Sequence, residues 1–313
     1  LKLFRCKLYT RGKPKQPDVD VITPSHMAVV EADARPTASW RMLSWESVNY
    51  KVDMSMLSGA IGGPLVVGLL TPQRNAMTLA AKDISSSYLG LYRHVFATGL
   101  TGGFRGMSKP VMAAVPQFTA IGPVYSIAER KLGSTSLAMM GAAFVESLCT
   151  YSAQKRNAQI QFNATRKTVA EQVELTSVRK LMGPGFIPHV ARNFFAMTGI
   201  RLFSPHSLEV IRLVPGAGQL SQQTQDFAAD LASSVVAATL SMPFNHAFSW
   251  AACTPELQSM SYIQRAQASG SWLVNNYREQ GVKLLGRDLA VRISYTGLLF
   301  TFYRAVERRL EQW

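Results

Sequence analysis

Acidic side chains are scarce in this chain. Asp and Glu number 19 against 33 Lys and Arg, a formal net charge of +14 over 313 residues. Such a balance points to nucleic acid, anionic lipid or an anionic solute. The basic residues are spread along the chain, with no Lys/Arg run interleaved with aromatics, so nucleic acid is not expected as a partner. Charge of either sign is sparse at 17%, where soluble proteins carry about 25%. Cysteine is nearly absent: Cys6, Cys149 and Cys253 share no redox or metal spacing, and no disulfide framework follows. There is no His-Glu-x-x-His, no Cys-x-x-Cys and no phosphate-loop lysine motif. The glycines at 99, 102, 103 and 106 follow no strand, as a phosphate loop would require. His26, His94, His189, His206 and His246 form no ligand set at helical spacing. An enzyme is therefore not expected, nor a cofactor or a metal site.

What the chain does have is apolar length. It is 47% hydrophobic, with a mean hydropathy of +0.05. That suits helices facing lipid on one side and water or protein on the other. An uncharged run from Met54 to Leu70 ends in Pro72-Gln73-Arg74-Asn75-Ala76-Met77. The stretch recurs as Gln154-Lys155-Arg156-Asn157-Ala158-Gln159 and as Pro243-Phe244-Asn245-His246-Ala247-Phe248. Gly59 precedes Arg74, and Gly141 precedes Arg156, by 15 positions each. Tyr125-x-x-x-Glu129-Arg130 likewise matches Tyr303-x-x-x-Glu307-Arg308. Similarity in fixed order marks an internal repeat.

Six apolar segments follow from this pattern, near 50–80, 108–132, 134–160, 185–212, 223–252 and 286–310. Each is long enough to span about 30 Å of hydrocarbon. Ser86–Phe96, Thr168–Leu181 and Tyr262–Tyr277 are shorter and more polar, and read as interfacial helices. Residues 1–48 carry helix-breaking prolines and no secretory apolar run. They read as an N-terminal extension ordered by docking on a partner. Residues 49–313 form one helical domain, with repeats at about 49–132, 133–212 and 223–313.

The repeated stretch resembles the mitochondrial carrier family, in which each of three repeats bears Pro-x-acid-x-x-base at the bend of its first membrane helix. Here the scaffold occurs three times without its acid or its base. The resemblance covers about residues 50–312 and implies an all-α, six-helix, multi-pass protein of the mitochondrial inner membrane. Three pseudo-symmetric repeats would carry short amphipathic matrix helices. In that family, a matrix gate and a cytoplasmic gate of ion pairs alternate.

By the same resemblance, the matrix-gate positions hold Arg74, Met77, Arg156, Gln159, Asn245 and Phe248. No opposite-charge pair is possible among them, and two arginines would face a shared cavity. Those arginines are expected to snorkel to headgroups, to meet a partner's carboxylate or to bind an anion. The cytoplasmic-gate positions hold Ser126, Glu129, Pro205, Leu208, Arg304 and Glu307. Only Arg304 with Glu129 could pair ionically there, with its sign reversed. Substrate contacts would fall at Ala113, Arg192, Asn193 and Arg292. The two arginines could grip a carboxylate or phosphate, or pair with Glu146, Asp230 or backbone carbonyls.

Two functions fit these residues. One is a transport-impaired accessory subunit of a larger inner-membrane complex of respiratory-chain type, with other protein subunits and anionic lipid such as cardiolipin as partners. The other is a divergent carrier for a small anionic metabolite.

Overall fold

Proline and glycine set the joints of this fold. The structure, a computed structural model, describes residue 56 and residues 59–82, 85–166, 168–177 and 179–310, with the backbone alone at 170, 200, 280, 304 and 307–310. The expected extension over 1–48 lies outside these residues. Helix α1 (Gly59–Leu69) gives way at Leu70 to α2 (Thr71–Ala80). Pro72 sits in the first turn of α2, where a missing N–H costs little. Hydrogen bonds from Leu70 N to Val66 O (3.0 Å) and from Arg74 N to Leu70 O (3.1 Å) carry the ladder through, so the two helices form one bent rod.

Ser87 caps α3 (Tyr88–Val95), accepting from Gly90 N. A single turn, α4 (Leu100–Gly103), leads to α5 (Ser108–Leu132), which contains Pro116 and Pro123. Ser134 caps α6 (Thr135–Ala164). Helix α7 (Phe186–Thr198) widens into a π-turn at Gly199–Phe203 before α8 (Ser204–Arg212). The wide turn stands directly ahead of Pro205, whose ring would crowd the carbonyl of a regular preceding turn. Ser221 caps α9 (Gln222–Ala252), which runs through Pro243. Helix α10 (Tyr262–Leu310) kinks at Gly281, with φ 70° and ψ −166°.

The expectation of an all-helical chain holds: no strand occurs among the described residues. Two boundaries differ from expectation. The stretch 262–277 and the segment starting at 286 are joined into one kinked helix, with the break at Gly281. Among the described residues of 168–181, the expected interfacial helix is absent apart from one 3-10 turn, Val169–Glu171. Its backbone is held open by polar side chains of α6. Asn163 donates to Val173 O and accepts from Val173 N, both at 2.9 Å. Gln159 Oε1 accepts from Thr176 N at 2.7 Å, and Arg156 donates to Thr176 O at 3.2 Å. These bonds satisfy groups that a helix would otherwise pair internally.

The rods pack in chain order: α5 on α6, α6 on α7, α7 on α9, α9 on α10, and α10 back on α2. The close approach of α1 to α5 rests on Gly59 and Gly63, where an added Cβ would overlap Phe118. A third glycine, Gly62, faces Val306. Small residues one turn apart let helices approach closely without a water-driven core.

Polar side chains share the interior with apolar ones, and apolar side chains also line parts of the outside. Ser147, Thr150, Ser233, Ser234 and Ser241 are buried, while Ile61, Leu65 and Leu69 form an outward stripe more than half exposed. Phe227, Leu231 and Val235 repeat that stripe on α9. Of six expected spans, two helices, Ser108–Leu132 and Gln222–Ala252, are long and apolar enough to cross a membrane. The other rods carry charge in their middles: Arg74, Glu146 with Lys155, Arg192, and Asp288 with Arg292.

Candidate functional site

The ring brings polar side chains of α2, α6, α7, α9 and α10 together in its core. Arg192 on α7 is 5% exposed. Its guanidinium donates to Asn245 Oδ1 on α9 (3.2 Å), to Gln154 Oε1 on α6 (3.2 Å) and to Asn193 Oδ1 (3.0 and 3.2 Å). It also lies 5.2 Å from the centre of the Phe248 ring. Asn193 Nδ2 donates to Ser147 Oγ at 3.1 Å, which fixes the amide that Arg192 uses.

Arg292 on α10 is 4% exposed. It donates twice to Ser241 Oγ (3.0 and 3.2 Å) and once to Met77 Sδ (3.2 Å). Arg74 is 3% exposed. It donates to Thr71 Oγ1 at 3.4 Å, and its Nε has no partner.

Every acceptor here is neutral. Among the described residues, no carboxylate oxygen lies within 4.0 Å of Arg74, Arg192 or Arg292. The half-buried Glu146 accepts from Gln117 Nε2 at 2.7 Å, and Asp230 accepts from Ser204 Oγ at 2.8 Å. The expected alternative of arginine pairing with Glu146 or Asp230 is therefore replaced by amide, hydroxyl and thioether contacts.

The structure joins two groups of residues that the sequence kept apart. The substrate-contact candidates Arg192, Asn193 and Arg292 meet the matrix-gate positions Asn245, Met77 and Phe248. Ala113 is half-buried on α5. The expectation that Arg74 snorkels outward is corrected, since the side chain is buried in the core. So is the expected shared cavity for two arginines. Arg156 turns instead to the Thr176 carbonyl, while Gln159 donates to Ala252 O at 3.1 Å.

At the other end of the ring, Glu129 accepts from Tyr125 (2.7 Å) and Thr135 (3.0 Å). Ser126 and Leu208 are half-buried and Pro205 is exposed. The side chains of Arg304 and Glu307 lie outside the described residues.

One buried cluster escaped sequence reading. Arg287 donates to Ala80 O and Ser86 O (2.8 Å each) and to Asp288 Oδ1 (2.7 and 2.9 Å). Asp288 Oδ2 lies 3.4 Å from His246 Nδ1 and accepts from Tyr277 OH at 3.3 Å. Burial, reinforced by the Asp288 carboxylate, holds the Tyr277 phenol protonated well above its ordinary range. The cluster clasps both arms of α10 to α9 and to the end of α2. An adjacent Arg-Asp pair just after Leu285-Gly286, in an apolar segment, was the available signal. A second tie holds the turn before α5: Asn75 Nδ2 donates to Gly103 O (2.9 Å) and Arg105 O (3.1 Å). Asn157 Nδ2 donates in turn to Asn75 Oδ1 at 3.2 Å. Among known proteins, no family model and no curated sequence matches this chain.

Proposed function

We propose that this chain is a carrier-like protein of the mitochondrial inner membrane, built from six crossings in three repeats. In this reading it no longer transports and serves as an accessory subunit of a larger inner-membrane assembly. The observation that carries the reading is the engagement of Arg192 and Arg292 with Asn245 and Met77. Residues that the resemblance assigns to substrate contact are bound to the positions it assigns to the matrix closure. A working carrier alternates between two closures of nearly equal free energy, so that a bound substrate can shift the balance. Here the matrix closure is a network of guanidiniums bonded to neutral acceptors across α2, α6, α7, α9 and α10, with no ionic latch to open.

The outward apolar stripes support membrane immersion, since an exposed apolar surface of this extent marks an interaction face. The charges within the spans face the bundle interior, as intramembrane charges do. A cavity of about 350 Å³ lined by Ser85, Ser86, Ser87, Tyr88, Lys283 and Arg287 offers the Lys283 ammonium to a lipid phosphate. Cardiolipin-type anionic lipid is the proposed occupant.

Native-gel migration after mild detergent extraction tests the assignment. An accessory subunit runs with a species far larger than its own 34.4 kDa and stays stoichiometric with it. A lone band of monomer size plus detergent would overturn the assignment.

A further inference from the structure

The bundle core holds three guanidiniums, those of Arg74, Arg192 and Arg292, each 95% or more buried. Glu146 is within electrostatic range of Arg192 and Arg292. Among the described residues none of the three has a carboxylate oxygen within 4.0 Å, so positive charge is in surplus in this part of the interior. Removing a charge from water costs several kcal/mol unless an opposite charge or a full set of hydrogen bonds compensates it. The hydrogen bonds are incomplete. Arg74 Nε and Asn245 Nδ2 are buried donors without a partner. Asn245 turns its carbonyl oxygen to Arg192, which commits its amide nitrogen to the remaining space.

These groups converge. Arg192 donates to Asn245 on α9, Arg292 donates to Met77, one turn beyond Arg74 on α2, and α2 packs against α9. Arg292 also lies over the Tyr295 ring, 6.0 Å from its centre. Two orphan donors beside surplus positive charge form a receptor for negative charge. The near-complete burial of the guanidiniums excludes an organic acid.

We infer that one small inorganic anion of the chloride class is bound in the core among Arg74, Arg192 and Asn245, as a resident counter-charge. It accepts from Arg74 Nε and Asn245 Nδ2 and offsets the surplus that the scarce carboxylates leave. Its role is to hold the core together. The inference does not depend on the accessory-subunit reading, because the charge surplus belongs to the core itself.

The purified full chain in detergent is the material for the test, with chloride and bromide as probes and gluconate as the excluded anion at matched ionic strength. The wild-type chain should melt higher in chloride or bromide than in gluconate. It should also retain about one equivalent of radiolabelled chloride through desalting, as a saturable single site requires. Arg74→Glu supplies a carboxylate inside the core. It should melt at the same temperature in all three salts and retain chloride about tenfold less or worse, the equivalent of one lost charged contact. If Arg74→Glu fails to fold, Arg74→Met removes one of the three positive charges and one of the anion's two donors without adding an opposite charge, and should show the same loss of anion dependence. Equal melting in chloride and gluconate with no retained chloride would overturn the site. So would undiminished retention in the Arg74 variant that folds.

Discussion

Asp288 is the acceptor that joins α9 to both arms of α10, and through Arg287 to the end of α2. Its side chain is fully buried, and the carboxylate faces a guanidinium, an imidazole and a phenol. Removing one partner from such a buried charge costs about 3–5 kcal/mol, because the other is left uncompensated. Asp288→Asn should therefore lower the melting temperature of the purified protein by many degrees. Glu209→Gln breaks only the exposed contact with His206 and should leave it unchanged, as surface pairs contribute little. Thermal unfolding of both variants in the same detergent checks this, and equal melting would show that the clasp is not structural. Arg192 and Arg292 could be singled out from sequence because charge inside an apolar segment is conspicuous. Their partners could not. Asn245, Gln154, Ser241 and Met77 are unremarkable residue types, and only the ring brings them together from α2, α6 and α9.

Helix α10 owes its two arms to one glycine. At φ 70° and ψ −166°, Gly281 occupies a backbone region open to essentially no other residue, at a cost of about 1–3 kcal/mol for an L side chain. Gly281→Ala should destabilise the protein by that order, whereas Gly286→Ala, with open space around its Cβ, should be neutral or mildly stabilising. Chemical unfolding of the pair measures the difference, and equal stabilities would contradict the account of the kink. Most rods were legible from sequence, since long apolar runs bounded by Gly, Pro and capping Ser leave little choice. The α1–α2 joint at Pro72 and the Ser87, Ser134 and Ser221 caps are local signals of that kind. The stretch 168–181 was misread because its fate is decided at a distance. Asn163, Gln159 and Arg156 on α6 capture its backbone, and no periodicity within the stretch reports on them. The junction of the last interfacial helix with the last rod was missed for a related reason. Glu279-Gln280-Gly281 reads as a turn, and the helix resumes at once beyond it.

At the scale of the whole molecule, the six crossings proposed above would put both ends of the chain on one side of the membrane. Maleimide labelling in sealed mitochondria should therefore reach Cys6 and a Trp313→Cys variant from the same face. Cys253 should not compete, because it is 4% exposed and burial pushes its thiol up to about 11. Labelling of the two ends from opposite faces would sink the six-crossing topology. Neighbouring rods pack on one another, and Arg192 and Arg292 are bound to neutral partners in the core; in the proposed function, one conformation is favoured over any alternate. The measurement that bears most directly on this claim is exchange by the purified chain in proteoliposomes, using labelled di- and tricarboxylates, phosphate and nucleotides. The account predicts no saturable counter-exchange of any of them. Saturable exchange of one, abolished by Arg292→Ala in a variant that still folds, would contradict it and establish a working carrier.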